Sequence, residues 1–435
     1  MTSIGNHSPQ PADSLVEPRV IPRAQHPISR KKIAPNAVKI LYRLKNNGFT
    51  AYLAGGAVRD LMLGKTPADF DIVTDATPRQ IKRLFRNSRI IGRRFRLVHI
   101  YFYRSERPSP QIFEVATFRR PFTPEQDDPE ILEQEPSLAN NLFGTPAEDA
   151  IRRDFTINAL FYNIADFTVV DHVNGLADLE QGIIRIIGDP DRRFAEDPVR
   201  ILRALEFSCR LGFTIEEKTA RSLSSEAPSL NTVPAARLRE ELRGFYCKKN
   251  TAAVLEAGQR YQVNPHWLPE IVIAGLDDAL PILRRAEEFF PHRDNDRELE
   301  RVVITALIFP ALLNEYPVNS EVRLNLVQEK VEELLTPLNR RFNLPRVQRY
   351  AIRDILTIFY RLSRGDKRIK QLLKRENFFT ALFFYAVVAT ASGEQAANLA
   401  FWLQRRERLN RHPEARGRDY GKLLASASIT AGYQP

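Results

Sequence analysis

Residues 53–73 read LAGGAVRDLMLGKTPADFDIV, and this stretch decides the fold of the first part of the chain. Asp69 and Asp71 flank a phenylalanine and lead into the apolar pair Ile72-Val73. This alternation predicts a strand on which residues i and i+2 share a face. Two carboxylates on one face repel each other unless a divalent cation lies between them, and Mg²⁺ commonly takes one or two carboxylates together with substrate phosphates. The acidic pair therefore predicts a magnesium site.

A glycine turn stands just before this acidic pair. Residues 52–54 predict a short strand that ends at Gly55 and Gly56, and residues 57–63 predict a helix whose free amides would face a phosphate at the turn. Taken alone, an Asp-x-Asp or a Gly-Gly pair is usually an ordinary strand or turn, with a prior for function of roughly one in ten. The two together, with Arg59 and Asp60 between them, are far less often accidental.

Composition narrows the class of protein. The 435 residues suffice for two or three domains, and 43% hydrophobic with 27% charged residues is typical of a soluble globular protein. The sequence shows no apolar run of about 18 residues and no apolar secretory segment at its start, which predicts no membrane span. Two cysteines are too few for a disulfide scaffold, which favours the reducing cytoplasm. The net charge of +11 favours a polyanionic partner.

The chain changes character after Asp171. Before it, strand patterns at 95–102 and 112–116 alternate with helix patterns at 34–45 and 78–85, and an acidic, aperiodic insertion at 121–141 predicts a surface loop. After it, the patterns are almost all helical. We predict a disordered basic arm at 1–30, an α/β head at 31–170, and helical parts at 171–245 and 246–435. The basic run at 405–422 fits a solvated helix face or an RNA contact equally well.

Four ordered motifs carry a family resemblance. GGAVRD with ADFDIV, IRRDFTINAL at 151–160, NGLADLEQGIIRIIG at 174–188 and RFAEDPVRILRALEF at 193–207 resemble those of the bacterial class II tRNA nucleotidyltransferase and poly(A) polymerase superfamily. The resemblance covers about 20 to 220, roughly half of the chain. It implies an α/β nucleotidyltransferase head at 31–170, a small mixed sheet with helices that carries catalysis. An all-helical neck at 171–245, which reads the nucleotide base, and a helical RNA-binding body at 246–435 with a basic C-terminal segment would follow.

The resemblance also assigns catalytic carboxylates. It implies that Asp69 and Asp71 hold two Mg²⁺ ions, which would lower the pKa of an RNA 3′-hydroxyl and stabilise in-line attack on the α-phosphate of ATP. A third carboxylate should assist. We expect Glu114 nearest the metals, where the alternative is an edge-strand acid facing water. We expect Asp154 nearer the nucleotide sugar, where the alternative is a salt bridge to a neighbouring arginine.

Nucleotide-binding residues follow from the same motifs. In this family the 152–158 segment contacts ribose and triphosphate, and a fork-shaped guanidinium suits phosphate oxygens. The residues implied to bind the nucleotide outside the base are Gly55, Gly56, Arg59, Arg153, Asp154 and Asn158.

Base selection is expected at Asp197 and Arg200. They are three residues apart, so they share a face of the helix that Pro198 opens. Arginine can donate to N1 of adenine, and a carboxylate can accept from its exocyclic amine. Cytosine offers the same pattern and guanine and uracil invert it, so the pair selects A and C over G and U. The alternative is that Asp197 only caps the helix.

Two further segments favour the poly(A) branch over the CCA-adding branch. Residues 19–30 resemble an N-terminal signature of poly(A) polymerases, and so does Gly92-Arg-Arg-Phe-Arg-Leu-Val-His99. CCA-adding enzymes usually carry glycine where Arg96 stands, and arginine restricts the loop. Within this loop we predict that Arg93, Arg94 and Arg96 contact RNA. Against this branch, its best-known members carry a longer and more densely basic C-terminal tail.

The sequence therefore predicts a template-independent poly(A) polymerase that adds AMP from ATP to RNA 3′ ends of messenger or other transcripts and releases pyrophosphate. CCA addition to tRNA is the alternative within the superfamily. A catalytically silent RNA-binding protein is disfavoured, because all the expected carboxylates are present.

Overall fold

A computed structural model describes residues 17–92, 96–103, 110–121, 142–290, 296–318, 320–365, 369–372 and 374–392. The chain divides into two compact units, Met1–Arg193 with Phe213–Thr219, and Phe194–Gly212 with Ala220–Pro435. The predicted RNA contacts Arg93 and Arg94, the insertion beyond residue 121 and the basic run at 405–422 lie outside the described residues.

The first unit is built on an eight-stranded mixed sheet in the order β1-β8-β7-β2-β3-β6-β5-β4. Its neighbours pair antiparallel, apart from the parallel pair β3 and β6. The strands are β1 Arg19–Ile21, β2 Ala51–Ala54, β3 Asp71–Thr74, β4 Ser88–Ile91, β5 Leu97–Phe102, β6 Gln111–Thr117, β7 Leu160–Asn163 and β8 Val169–Asp171. A two-stranded parallel sheet joins β9 Ile183–Ile184 to β10 Thr214–Ile215.

Short helices accompany this sheet. They are α1 Pro35–Asn46, α2 Gly56–Met62, α3 Pro78–Leu84, α4 Pro146–Arg152 and α5 Gly175–Gln181. Thr77 caps α3 as predicted, since its side chain accepts from the Gln80 amide while Gln80 reaches back to the Thr77 amide. Below the sheet, Ala54, Val73, Phe118 and Phe161 pack in one buried cluster. The predicted α/β head is confirmed.

The disordered arm predicted for residues 1–30 is wrong for residues 17–30. Residues 19–21 form β1, which pairs antiparallel with β8. The segment is then tied down further, because His26 Nε2 lies 2.8 Å from the Phe167 carbonyl oxygen and Arg30 lies over the Phe167 ring at 4.6 Å. Proline and polar residues suggested disorder, but backbone pairing and these side-chain contacts order the chain. Residues 1–16 lie outside the described part.

The start of the neck, predicted at residue 171, differs from the division in the structure, which leaves residues up to 193 with the sheet. Side chains explain the difference. The Asp171 carboxylate accepts from the amides of Gly175 and Leu176 at the start of α5, and Thr156 Oγ1 donates to Asp178 at 2.6 Å. These bonds fasten α5 to the head.

From residue 190 onward the described elements are helical, apart from β10. The α-helices are α6 Pro190–Glu196, α7 Val199–Leu211, α8 Glu217–Glu226, α9 Ala235–Cys247, α10 Thr251–Arg260, α11 Glu270–Ala274, α12 Leu276–Phe289, α13 Asp296–Glu315, α14 Leu324–Phe342, α15 Arg346–Ser363, α16 Ile369–Leu372 and α17 Phe378–Ser392. Aromatic rings fill the core, with Phe309 centred 4.8 Å from Phe359 and 5.2 Å from Phe384. Among the described helices none is long and apolar enough to cross a membrane.

Candidate active site

The acidic pair lies at the start of β3. Asp71 is the first residue of the strand and pairs with Ala54, the last residue of β2. Asp69 lies two residues before the strand, so the prediction that both aspartates belong to one strand is wrong. The reason is the glycine turn: β2 ends at Ala54, which leaves residues 69 and 70 no backbone to pair with on that side. Both carboxylates remain exposed.

Glu114 lies level with Asp71 on the neighbouring strand. Ile72 of β3 is in register with Val115 of β6, so the residues that precede them, Asp71 and Glu114, share one face of the sheet. One strand further, His99 of β5 is in register with Glu114, and its Nε2 lies 3.2 Å from Glu114 Oε1. The structure therefore brings Asp71 and Glu114 together and adds a histidine beside them.

Loss of hydration against the surrounding atoms is the main reason why the pKa of the Asp71 carboxyl is raised to about 6. The negative charges of Asp69 and Glu114 raise this pKa further, and the positive charge of Arg153 lowers it. Three carboxylates thus repel one another at this edge of the sheet. Within the described ranges, no group of three or more His, Cys, Asp or Glu side chains is arranged to hold a metal ion by itself.

The glycine turn that follows β2 adopts a conformation suited to glycine alone. Gly55 has φ +70° and ψ −135°, and its amide donates to the Leu160 carbonyl at 3.1 Å. A Cβ at this position would lie 3.0 Å from Arg153 Nη1. The absent side chain therefore lets a guanidinium approach the turn, and Gly56 then begins α2.

A buried polar network joins α2 to the 152–158 segment. Arg59 is 3% exposed and donates from Nη1 to Asn158 Oδ1 at 2.5 Å, while Asp60 Oδ1 accepts from its Nε and Nη2. Asn158 Nδ2 in turn donates to Asp154 Oδ1 at 3.3 Å, and the Phe155 amide donates to the same oxygen at 2.8 Å. The predicted residues Arg59, Asp154 and Asn158 therefore form one connected group.

Arg153 is held from three sides. Its Nη2 donates to Asp149 Oδ2 at 2.9 Å, its Nη1 donates to the Asn158 carbonyl at 3.3 Å, and its guanidinium lies 5.1 Å from the centre of the Phe161 ring. Asp149 is buried and was missed by the sequence reasoning, although its i, i+4 spacing to Arg153 on a helix was a usable signal.

The predicted base-reading pair lies in the second unit. Asp197 connects α6 to α7, and its Oδ2 accepts from Arg237 Nη2 at 2.7 Å. Its other oxygen, Oδ1, is buried and has no hydrogen-bond partner among the described residues. The capping alternative is wrong, because α7 is capped by Pro198 without any side-chain bond. Arg237 was missed, since it is 40 residues away and no local pattern marks it.

Arg200 is largely buried near the start of α7. Its Nη1 lies 3.6 Å from Glu196 Oε2, and 14% of its side chain is exposed. Arg96, the described member of the predicted RNA-binding loop, is exposed directly before β5. No observation tests the roles assigned to these site residues, which stay predictions.

Two family models match this chain. Residues 51–185 match the family described as poly A polymerase head domain, and residues 212–273 match a domain described as the probable RNA and SrmB-binding site of polymerase A. Poly(A) polymerase I of Salmonella typhimurium is 39% identical over 378 residues, which cover 83% of this chain and 80% of the relative. The chain belongs to the bacterial poly(A) polymerase family.

Membership makes the chain a polynucleotide adenylyltransferase, as predicted. Poly(A) polymerase I of Escherichia coli O6:H1 is likewise 39% identical, over 85% of this chain and 81% of the relative. Among solved structures, the CCA-adding enzyme of Bacillus stearothermophilus in complex with CTP has a TM-score of 0.62 at 24% identity, over 86% of this chain and 82% of that one. That likeness shows a shared nucleotidyltransferase fold.

Proposed function

We propose that this protein adds AMP from ATP to the 3′ ends of messenger or other transcripts in the cytoplasm, without a template. The RNA 3′-oxygen bonds to the α-phosphorus of ATP, the bond to the bridging oxygen breaks, and pyrophosphate leaves. One observation carries the proposal: Asp71 and Glu114 lie level on adjacent strands. Two carboxylates held close together on a rigid sheet repel each other, and a bound cation would offset this repulsion.

The carboxylates fit two Mg²⁺ ions as the cofactor. Asp69 and Asp71 would hold them with phosphate oxygens completing the ligand set, which agrees with the mutual repulsion that raises the pKa of Asp71. Glu114 would be the third carboxylate, because its charge acts directly on Asp71. When bound, the ions would lower the pKa of the 3′-hydroxyl and offset charge on the α-phosphate.

Phosphate and sugar contacts come from the turn and the network beside it. Because Gly55 has no Cβ, Arg153 Nη1 lies only 3.0 Å from where that atom would be. The guanidinium can therefore bind triphosphate oxygens next to the backbone. Asp154, fixed by the Phe155 amide and Asn158, would accept a ribose hydroxyl. Arg59 and Asn158 hold this segment in place, and the Gly56 amide completes the nucleotide-binding turn.

Adenine selection would use Asp197 and Arg200. A buried carboxylate oxygen without a partner is unfavourable, and an exocyclic amine of adenine would supply the missing donor. Arg200 would donate to the ring nitrogen. Arg237 keeps the carboxylate in place through Oδ2, which leaves Oδ1 for the base.

CCA addition to tRNA is the second candidate. A CCA-adding enzyme of Leuconostoc mesenteroides is 38% identical over 235 residues, and the Asp197–Arg200 pair would accept cytosine as readily as adenine. The poly(A) reaction is favoured, because the poly(A) polymerase relatives match over far more of the chain. Arg96 in the loop before β5 supports the same choice, with Arg93 and Arg94 as the further predicted RNA contacts.

The deciding experiment gives purified protein a tRNA that ends before CCA, an unrelated RNA, and each nucleoside triphosphate separately. We expect a run of A on both RNAs, with release of pyrophosphate and little C even when CTP is present. Products that stop uniformly after C, C and A would overturn the poly(A) proposal.

Substitutions then test the carboxylate roles. Asp69→Ala or Asp71→Ala should abolish addition and leave RNA binding nearly intact, because neither residue need contact the RNA body. Glu180→Gln, an exposed acid on α5, is the matched control and should behave as wild type. Activity of an aspartate variant within about a few fold of wild type would contradict the metal assignment, since lost ligands cost far more.

A further inference from the structure

A strongly basic stretch joins α14 to α15 in the second unit. Between residues 338 and 353 the sequence has five arginines and no acid. They are Arg340, Arg341, Arg346, Arg349 and Arg353. Arg341 is used internally, since its guanidinium donates to the carbonyls of Leu230, His266 and Trp267. Arg340 and Arg346 are exposed, so the stretch presents positive charge to solvent.

Two apolar side chains are exposed in the middle of this charge. Val347 is 69% exposed and Tyr350 is 59% exposed. They are three residues apart on α15 and therefore share one face of the helix. The opposite face is buried through Ile352 and Leu356, which explains why the helix forms here. Burial of the core does not explain an exposed tyrosine and valine on one turn.

The turn that presents these side chains is firmly anchored. Gln348 is 4% exposed, and its Nε2 donates to the Arg297 carbonyl at 3.0 Å and to Glu300 Oε2 at 2.6 Å. Its Oε1 accepts from Arg301 Nε at 2.7 Å. Both the nitrogen and the oxygen of this buried amide are hydrogen-bonded, which fixes the first turn of α15 against α13. A rigid platform loses little entropy when a ligand binds.

The tyrosine ring is also positioned. Arg353 lies 5.2 Å from the centre of the Tyr350 ring, and its Nη1 donates to Glu332 Oε1 at 3.0 Å. The ion pair holds the guanidinium, and the guanidinium packs on the ring. The guanidinium therefore packs on one face of the ring, while more than half of the residue remains exposed.

We propose that Tyr350, Val347 and Arg346 bind a single-stranded stretch of the RNA substrate. A base would stack on Tyr350, its sugar would contact Val347, and Arg346 would bind a phosphate. Every base offers a π-face, so such a contact tolerates any sequence. This inference rests on the proposed function for its substrate, and it names where the helical unit would hold that substrate.

The charge and the small apolar area favour RNA over a protein partner. Arg341 is bonded internally and Arg353 is paired with Glu332. The exposed charges of Arg340 and Arg346 are therefore the ones that complement a polyanion. A stable protein interface usually buries roughly 800 Å² on each side, with about 20–30 residues, whereas the apolar centre here is two side chains. Two side chains match one stacked nucleotide.

The first test measures RNA binding by fluorescence anisotropy, with a 5′-labelled single strand of about 20 nucleotides, which is longer than a typical single-strand binding site. Tyr350→Ala should weaken binding by about 5- to 150-fold, because the stacked base loses its platform. Tyr350→Phe keeps the ring and should restore binding. Leu326→Ala, an exposed apolar residue on α14 at 39% exposure, is the matched control and should change nothing.

The second test measures the salt dependence of the same binding. Arg346→Gln should reduce the slope of log K against log salt by about 0.7, the value for one phosphate contact on a single strand. Arg285→Gln is the control, because it removes the same charge on α12 of the same unit, where Arg285 lies 5.8 Å from the centre of the Phe289 ring and pairs with Glu288. Its slope should equal that of wild type.

The outcomes separate this inference from the proposed reaction. AMP addition at saturating RNA should be as fast in Tyr350→Ala as in wild type, whereas the RNA concentration that gives the half-maximal rate should rise. If Tyr350→Ala binds the long strand within about twofold of wild type, or no more weakly than Leu326→Ala, the RNA-binding surface is refuted. If wild type extends no RNA while Tyr350→Ala still weakens binding, the reaction fails and the surface stands.

Discussion

Replacing Asn158 with leucine tests whether one amide holds the nucleotide-binding segment together. The side chain is 8% exposed and joins two charged residues, since Oδ1 accepts from Arg59 at 2.5 Å and Nδ2 donates to Asp154 at 3.3 Å. Leucine has a similar volume. The substitution therefore removes two hydrogen bonds and opens no large cavity.

The expected loss of stability follows from those two bonds. A hydrogen bond to a charged group contributes about 1.5–3 kcal/mol, and the longer bond to Asp154 adds about 1 kcal/mol at most. Arg59 is 3% exposed and would keep Asp60 while losing its acceptor on Asn158. We expect the free energy of unfolding to fall by about 2–4 kcal/mol. We expect kcat/KM for AMP addition to fall about 10- to 100-fold, because Asp154 loses its orientation.

Urea unfolding of the full chain and steady-state AMP addition measure the two effects. Asn158→Asp is the matched variant: it keeps an acceptor for Arg59 but places a carboxylate against Asp154. It should retain more stability than Asn158→Leu and lose comparable activity. An unfolding free energy for Asn158→Leu within about 0.5 kcal/mol of wild type would refute the network, because that is the range of ordinary surface changes. Wild-type activity in Asn158→Asp would show that Asp154 does not need this amide.

Three other substitutions test neighbouring parts of the proposed site. Arg200→Ala should reduce the preference for ATP over GTP and UTP more than it reduces affinity for the triphosphate. Incorporation from the four nucleotides at equal concentration measures this preference, and an unchanged preference would show that Arg200 does not read the base. Gly55→Ala should lower the free energy of unfolding by about 1–3 kcal/mol, and it should also reduce activity because the new Cβ would displace the Arg153 guanidinium. Gly64→Ala, with φ +73° and open space around it, should show the backbone strain alone, so equal activities in the two variants would contradict the role of the close approach. His99→Leu should lower kcat about 10- to 100-fold and raise the Mg²⁺ concentration needed, because Glu114 loses the partner that orients it. His99→Gln should recover part of both, and identical magnesium titrations for all three proteins would rule out that role.

Local features of the head could be predicted because local chemistry determines them. The glycine turn after β2 follows from a backbone conformation that only glycine adopts readily, and the capping of α3 follows from Thr77 and Gln80. The helix after the turn was predicted at 57–63 and begins one residue earlier, at Gly56. The error at Asp69 has a non-local cause, since the end of β2 limits where β3 can begin.

The remaining contacts of the site depend on residues far apart in the chain. Arg59 and Asn158 are 99 positions apart, and His99 meets Glu114 only because β5 and β6 pair in one register. No periodicity or motif spacing encodes such pairings, which the packed sheet alone establishes. Motif resemblance supplied the residues proposed for the site, but it did not supply Asp149, Arg237 or His99, which contact them.

The pairing of β1 with β8 has a consequence for how the protein is made. These strands belong to residues 19–21 and 169–171, so β1, the first strand among the described residues, pairs with β8, the last strand of its sheet in chain order. Chains grow at about 5–20 residues per second, so β1 must wait roughly 7–30 seconds for its partner. During that time, its exposed backbone edge can pair with other extended segments. A folding intermediate that lacks β1 pairing is therefore expected on the nascent chain, and a chaperone that shields residues 17–30 would raise the yield of folded protein.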